Sequence, residues 1–131
     1  MNKLTLILTL FFSTMFASPA YADWEAVALD EDGRTFYVDF DRIRTNGGYV
    51  YYWELQDYSK LYSKAKMSFE NYFQGDCEMF RLKWLTSIIY KQPMGEGSGE
   101  TYSVPDNEWT YLSPNSSQET VLKQVCRRAG L

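Results

Sequence analysis

The chain has 131 residues, a formal net charge of −4 and a 45% share of hydrophobic residues. That length suits one domain with one modest core, and the mild acidity disfavours binding to nucleic acid or to anionic lipid. The sequence contains no histidine, which excludes Ser–His and Cys–His nucleophile pairs and any zinc site that needs an imidazole ligand.

Residues 1–22 have the pattern of a secretory signal peptide. Lys3 precedes an apolar stretch over residues 4–16, and Ala20 and Ala22 are the small residues that a cleavage site needs. The apolar stretch is shorter than the roughly 20 residues of a membrane span, so an uncleaved anchor is the weaker interpretation. No cysteine lies near the cleavage site to carry a lipid. We therefore expect export, cleavage after Ala22, and a single domain over residues 23–131 with no membrane span.

The first half of this domain predicts strands joined by tight turns. An apolar run over residues 24–29 and an alternating run over residues 34–40 flank the acidic Gly turn at residues 30–33, which is a hairpin pattern. A second turn at residues 46–48 precedes a strand at Tyr49–Asp57. Odd-numbered and even-numbered positions of that strand should lie on opposite faces of the sheet.

The middle of the chain predicts two more strands. Residues 58–64 are polar and predict a connection, residues 65–73 alternate, and residues 74–76 predict a turn. Residues 77–90 form the longest predicted strand. Its predicted apolar face consists of Phe80, Leu82, Trp84, Ile88 and Tyr90. The opposite face is mixed, which indicates a bulge or partial cover.

The last third changes from loop to helix. Residues 91–107 are rich in Gly and Pro and predict an open loop, and residues 109–112 predict a last short strand. Ser116 and Glu119 form a capping-box pattern. Beyond them, apolar residues fall at helical spacing: Val121, Leu122, Val125 and Cys126.

These elements predict an α+β fold, in which one C-terminal helix packs on one face of an antiparallel sheet of about five to six strands. Cys77, at the start of the long strand, and Cys126, on the helix, are the two cysteines of the chain. In an exported protein, two cysteines without CxxC spacing favour a structural disulfide over a redox or metal thiol. A disulfide that closes the chain between Cys77 and Cys126 should stabilise the domain by roughly 4 kcal/mol in the chain-entropy model.

No residue pattern predicts catalysis, a metal site or a cofactor. The acidic turn at residues 30–33 lacks the other ligands of a calcium loop, and acids flank the glycines of residues 95–99 and would repel phosphate. Residues 115–117 match an N-glycosylation sequon, but they also fit the start of a helix, which is the interpretation we favour. Paired carboxylates could serve a glycosidase, but the candidates are spread over predicted strands and are interpreted as surface acids: Asp39, Asp41, Glu54 and Glu70.

The high aromatic content suits both half-buried strands and protein interfaces. The Tyr- and Trp-rich residues 49–55 could form a binding surface, although a core face is favoured. We expect a protein partner to bind the sheet face away from the helix, or the loop over residues 91–107. Tyr37 and Tyr52 are the candidate binding residues, because each alternates with polar neighbours. In the alternative interpretation, both tyrosines only form cross-strand pairs.

A series of short motifs spans essentially the whole domain and permits comparison with known families. In the first part it comprises Trp24, the acidic turn, Tyr37-Val38-Asp39, a strand ending near Trp53, Tyr62-Ser63-Lys64, Asp76-Cys77 and Arg81. In the second part it comprises Pro93-Met94-Gly95-x-Gly97, Trp109, Pro114 and Val121-Leu122-x-x-Val125-Cys126. This order resembles the surface-adhesin protein E family, a group of small exported bacterial domains.

The resemblance implies a sheet whose concave face is covered by a C-terminal helix held by the cysteine pair. For the best-known member it implies a dimer, a lipid anchor, and adhesion to host proteins such as vitronectin and laminin. The leading interpretation is an exported, non-enzymatic binding protein of the adhesin type that contacts host or extracellular proteins and forms a homodimer. The alternative is a periplasmic accessory or structural domain that binds a cell-envelope partner, because this chain offers no cysteine for a lipid anchor.

Overall fold

The structure is a computed structural model that describes residues 22–58, 68–104 and 108–131. Within these residues the chain forms one antiparallel sheet followed by one helix, α1 (Ser117–Arg128), which confirms the predicted α+β class. The strands in chain order are β1 (Glu25–Leu29), β2 (Thr35–Val38), β3 (Arg44–Asn46), β4 (Tyr49–Asp57), β5 (Ser68–Asp76), β6 (Arg81–Tyr90), β7 (Gly99–Ser103) and β8 (Thr110–Tyr111).

The sheet is built around β4, β5 and β6. Its main path runs β1-β2-β4-β5-β6-β7, while β3 pairs with β4 and β8 pairs with β6. Both β2 and β3 pair with β4, β2 with its C-terminal half and β3 with its N-terminal half. The short 3-10 turn Phe40–Arg42 separates them, so one continuous stretch of chain lines one edge of β4.

Helix α1 covers one face of the sheet, here called the covered face; the opposite face is called the open face. Paired residues of an antiparallel ladder share a face, so the register assigns each strand position to one of the two faces. The hydrophobic core lies between α1 and the covered face and consists of Phe36, Val38, Val50, Tyr52, Phe73, Leu82, Val121, Leu122, Val125 and Cys126.

The predicted helix start is confirmed. The Ser116 side chain accepts a hydrogen bond from the Glu119 N–H at 3.2 Å. The Glu119 carboxylate accepts one from the Asn115 N–H, also at 3.2 Å, one residue before the cap. At the other end, Arg127 and Arg128 lie where the helix dipole favours cations.

The disulfide between Cys77 and Cys126 is present, with the two Cα atoms 5.8 Å apart. Cys77 lies in the turn between β5 and β6, and its predicted place on the long strand is wrong because that strand begins at Arg81. Asp76 builds this turn by accepting hydrogen bonds from the Glu78 and Met79 N–H groups at 3.0 and 3.1 Å. Burial alone would raise the pKa of the Asp76 carboxyl, but bonds from Met79 and Arg81 outweigh burial and lower it.

The turn predicted at residues 74–76 is wrong, because β5 continues through Asp76. Gly75 serves close packing there. A Cβ atom added at Gly75 would lie 2.6 Å from Leu122 Cδ1 and 2.9 Å from Val50 Cγ2. The glycine therefore lets α1 approach the sheet, which a sequence pattern cannot distinguish from a turn signal.

The predicted irregularity of the long strand is confirmed as a bulge. Tyr72 pairs with Thr86 and Phe73 with Trp84, which leaves Leu85 without a partner. The bulge moves Ile88 and the residues after it to the other face. Leu82 and Trp84 therefore lie on the covered face and Ile88 and Tyr90 on the open face, and the single apolar face predicted for this strand is wrong.

The open loop predicted for residues 91–107 is wrong in part, because β7 pairs with β6 along the edge of the sheet. All five residues of β7 are exposed, so the strand lacks the apolar alternation by which strands are detected. Only glycine fits at position 99, because an added Cβ would overlap the Ile88 side chain and the Tyr90 ring. The predictions for residues 1–21, 59–67 and 105–107 lie outside the described residues.

Substitution Gly75→Ala should destabilise the domain, because the added methyl overlaps Leu122 and Val50. We expect a loss of about 1–3 kcal/mol in the free energy of unfolding, measured by urea titration. Leu122→Ala should relieve part of this clash, so the double variant should lose less stability than the sum of the two single losses. Additive losses would show that α1 does not press on Gly75.

Candidate binding surface on the open face

A row of aromatic side chains runs along the open face. Tyr49, Tyr51 and Trp53 alternate with the core residues of β4, and all three are half-buried. Tyr72 of β5 lies beside them, with its ring centroid 4.7 Å from that of Trp53 and 6.3 Å from that of Tyr51. These four residues are called the aromatic row. Such ring contacts stabilise the sheet by about 0.5–1.5 kcal/mol each beyond the area they bury.

Arg42 links the aromatic row to Trp24. Its guanidinium carbon lies 5.4 Å from the Trp24 ring centroid and 5.5 Å from that of Trp53. Nε donates a hydrogen bond to Asp39 Oδ2 at 2.7 Å, and Nη2 lies 3.7 Å from Glu70 Oε1. Two carboxylates therefore hold one guanidinium between two indole rings, an arrangement that Lys could not reproduce.

Glu70 is fixed in turn by Tyr90. The Tyr90 hydroxyl donates a hydrogen bond to Glu70 Oε2 at 3.0 Å. Burial, and then the neighbouring Glu70 charge, raise the pKa of Tyr90 to about 12. Tyr90 therefore remains a neutral donor at physiological pH and holds the carboxylate that faces Arg42.

A second group of cations and aromatic rings lies at the start of β4. The Trp109 ring centroid is 5.3 Å from that of Tyr49, 4.3 Å from the Arg81 guanidinium carbon and 4.8 Å from Lys83 Nζ. Exposed Arg44 pairs with Tyr51 and so shares the open face. Although the chain carries a net charge of −4, its open face thus presents cations beside aromatic rings.

The far end of the open face is covered by the turn Pro93–Gly95. The Ser68 hydroxyl donates to the Gln92 carbonyl at 2.6 Å and accepts from the Gly95 N–H at 3.0 Å. Leu55 lies beneath this turn and is fully buried although it belongs to the open face. The turn leaves the aromatic row and the cations around it accessible on the open face.

The structure separates the two predicted binding tyrosines. The prediction that Tyr52 faces away from the helix is wrong, because Tyr52 lies in the core with no exposed surface. Its polar neighbours Glu54 and Gln56 are themselves buried beneath α1, so their polarity did not indicate a wet face. Tyr37 pairs with Leu55, lies on the open face and is half-buried. A role of Tyr37 in binding remains a prediction.

Of the carboxylates considered for glycosidase chemistry, Asp39 and Glu70 both contact Arg42 and belong to the ion-paired cluster on the open face. Asp39 and Glu54 are buried, so their expected place at the surface is wrong. Glu54 Oε1 accepts hydrogen bonds from Gln56 Nε2 at 2.6 Å and Gln118 Nε2 at 3.1 Å. Burial raises the pKa of Glu54 to about 7, and the bonds from these amides lower it only in part.

A pKa near 7 would suit a general acid or base, but Glu54 lies beneath α1, where no substrate can contact it. Glu70 lies on the opposite face of the sheet, because Glu54 pairs with its neighbour Asn71. The two groups therefore cannot act on one bond. Glu54 belongs to a buried polar cluster that joins α1 to the sheet through Gln118.

A cavity of about 390 Å³ opens beside this cluster on the covered face. Phe69, Phe73 and Trp84 form its apolar wall. Arg34, at its polar side, already donates hydrogen bonds to Asp30 at 2.7 Å and to the Tyr58 hydroxyl at 2.7 Å. The arrangement favours a structural role for Arg34 over ligand capture.

Among residues 22–58, 68–104 and 108–131, no three or more Cys, Asp or Glu side chains come together as a metal-binding group. In the same part of the chain, no helix has the length and apolarity needed to span a bilayer.

Sequence reasoning missed Arg42 and Trp24 as parts of this surface. The signal was present locally, because Asp39 precedes Arg42 by three residues and caps the turn that contains it. The contact between Arg42 and Trp53, by contrast, depends on the pairing of distant strands. The core position favoured for the aromatic residues of β4 holds for Tyr52 and fails for the aromatic row.

Comparison with known families gives one match. The model of the surface-adhesin protein E family matches residues 24–127, which is nearly the whole domain. None of the curated proteins matches the sequence significantly.

Solved structures of Haemophilus influenzae protein E share the fold. The crystal form II structure is 14% identical, has a TM-score of 0.63, and the match covers 88% of this chain and 98% of that chain. The crystal structure from non-typeable Haemophilus influenzae is 16% identical, has a TM-score of 0.59, and the match covers 88% and 84% of the two chains. At this identity the likeness extends to the fold alone.

The buried Glu54 should make stability depend on pH. Its pKa in the folded state, about 7, lies above the ordinary 4.5, so unfolding releases a proton between these values. The free energy of unfolding should therefore fall as pH rises from 4.5 to 7, by at most about 3 kcal/mol from this group. Urea titrations at pH 5 and 8 measure the fall.

Glu54→Gln should remove this pH dependence, and the exposed Glu78→Gln should leave it unchanged as the matched control. Equal pH dependence in the wild type and Glu54→Gln would show that Glu54 is not the group that titrates.

Proposed function

The chain belongs to the surface-adhesin protein E family, and we propose that it is an exported, non-enzymatic protein that binds host or extracellular proteins through its open face. The family suggests a surface adhesin, and the pattern of residues 1–22 supports export. The homodimer implied by the resemblance is part of the same proposal, and sedimentation of the processed protein tests it.

The observation that carries the proposal is the aromatic row with its cations. Tyr, Trp and Arg dominate the binding energy of protein interfaces, because each buries a large area and also offers a polar group. Here Asp39 and Glu70 hold Arg42 against the Trp53 ring before any partner arrives. A surface ordered in advance loses little side-chain entropy on binding.

The alternative is a periplasmic domain that binds a cell-envelope partner. It is favoured by the absence of a cysteine near Ala22 that could carry a lipid. Protease treatment of intact cells distinguishes the two proposals: digestion of the protein supports display at the surface, and digestion only after the outer membrane is opened supports the periplasmic partner.

Trp53→Ala should weaken binding of the processed protein to immobilised vitronectin or laminin by about tenfold or more, because it removes the centre of the aromatic row. Biolayer interferometry provides the affinities. The matched control is Trp84→Ala, since Trp84 is 43% exposed on the covered face. It should change affinity by less than about threefold.

A second pair of variants tests the cations. Arg44→Glu on the open face should weaken binding, and Arg127→Glu on the outer side of α1, with the same change in charge, should not. Tyr37→Ala tests the remaining candidate residue in the same assay. Equal losses for Trp53→Ala and Trp84→Ala at unchanged thermal stability would contradict a binding role for the open face, as would failure to bind either protein.

A further inference from the structure

The backbone N–H of Asp23 binds a buried carboxylate. The Asp23 N–H donates a hydrogen bond to Asp39 Oδ2 at 3.2 Å, and Asp39 is only 2% exposed. Asp39 Oδ2 also accepts from Arg42 Nε, and Oδ1 accepts from the Asp41 N–H. Asp39 is thus a fixed acceptor, held in position by its own turn, and the backbone N–H of Asp23 reaches it.

The charges around this contact favour a cation. A cavity of about 850 Å³ adjoins it, lined on one side by Ala22 and Asp23 and on the other by Glu70 and Glu96. Arg42 is the cation bound to Asp39, so the carboxylates near the Asp23 nitrogen outnumber the guanidinium. The electrostatic potential at this nitrogen should therefore be negative.

We propose that the Ala22–Asp23 peptide bond is the processing site and that the ammonium group created there docks onto Asp39. Hydrolysis breaks this amide bond: water supplies the hydroxyl of the new Ala22 carboxyl group and a hydrogen to the Asp23 nitrogen, which takes up a further proton at neutral pH. The proposal rests on the export proposed above, and it adds a structural consequence of cleavage at this one bond.

Cleavage would convert a neutral donor into a charged one at the same position. A charge-assisted hydrogen bond is about twice as strong as a neutral one. The two additional N–H groups would point toward the cavity that Glu70 and Glu96 line. Because Asp39 also holds Arg42 against Trp24 and Trp53, the docked ammonium would brace the same turn that orders the binding surface.

Three forms of the protein test the proposal: one that begins at Asp23, one that begins at Ala22, and one that begins at Asp23 with an acetylated amine. Each is released in vitro from a fusion by a protease that leaves no extra residue, so the result does not depend on the cell's processing enzyme or on any binding partner. The form that begins at Asp23 should have an unfolding equilibrium constant about fivefold smaller than either control.

The form that begins at Ala22 is the sharper control, because it carries the same charge one residue away. Equal unfolding constants for the Asp23 and Ala22 forms would overturn the docked ammonium. Asp39→Asn should abolish the difference between them, and a difference that survives this substitution would also overturn the proposal.

If Asp39→Asn does not fold, amine acylation followed by mass spectrometry replaces it. The docked Asp23 amine should react about tenfold more slowly than the Ala22 amine, since the salt bridge must open first. Equal rates would contradict docking. The intact mass of the exported protein tests the cleavage site separately: a protein that begins at any residue other than Asp23 would overturn the processing site without bearing on binding by the open face.

Discussion

The packing of α1 onto one face of the sheet is the constraint on which the rest of the structure depends. A single helix can cover only one face of a sheet, and here Val121, Leu122 and Val125 are fully buried against it. Gly75 permits the close approach, and the disulfide fixes the helix to the turn after β5. The opposite face must then remain partly open to solvent, and its side chains must be stable there without a second layer.

The open face meets this requirement with aromatic rings, cations and carboxylates in contact. Tyr72 packs against Tyr51 and Trp53, and Trp109 packs against Tyr49. Arg42 lies between two indole rings, and Asp39 and Glu70 neutralise its charge. These contacts stabilise the sheet and also produce an ordered surface rich in the residues that dominate protein interfaces. Structure and proposed function thus have one physical origin, the uncovered face of a one-helix sheet.

Local patterns were sufficient to predict much of the fold. The alternation of residue types predicted β4 with its observed bounds, and the capping box predicted the start of the helix. The expected export of the protein and its two cysteines predicted the disulfide. The sequence-based predictions were wrong where the role of a residue depends on a contact with a distant part of the chain. Gly75 serves the approach of Leu122, and Tyr52 has polar neighbours that α1 buries. The composition indicated that aromatic residues could form the proposed binding surface. Arg42 could be assigned to that surface only when the pairing of the strands was known.

Hydrogen exchange of the oxidised and the reduced protein tests this account most directly. With the disulfide intact, the amides of α1 around Val125 should exchange as slowly as those of β4, because one packed layer protects both. After reduction under native conditions, α1 and β4 should lose protection together, because the core between them protects both. Rapid exchange of α1 in the oxidised protein, or loss of protection in α1 while β4 keeps its own after reduction, would contradict the account.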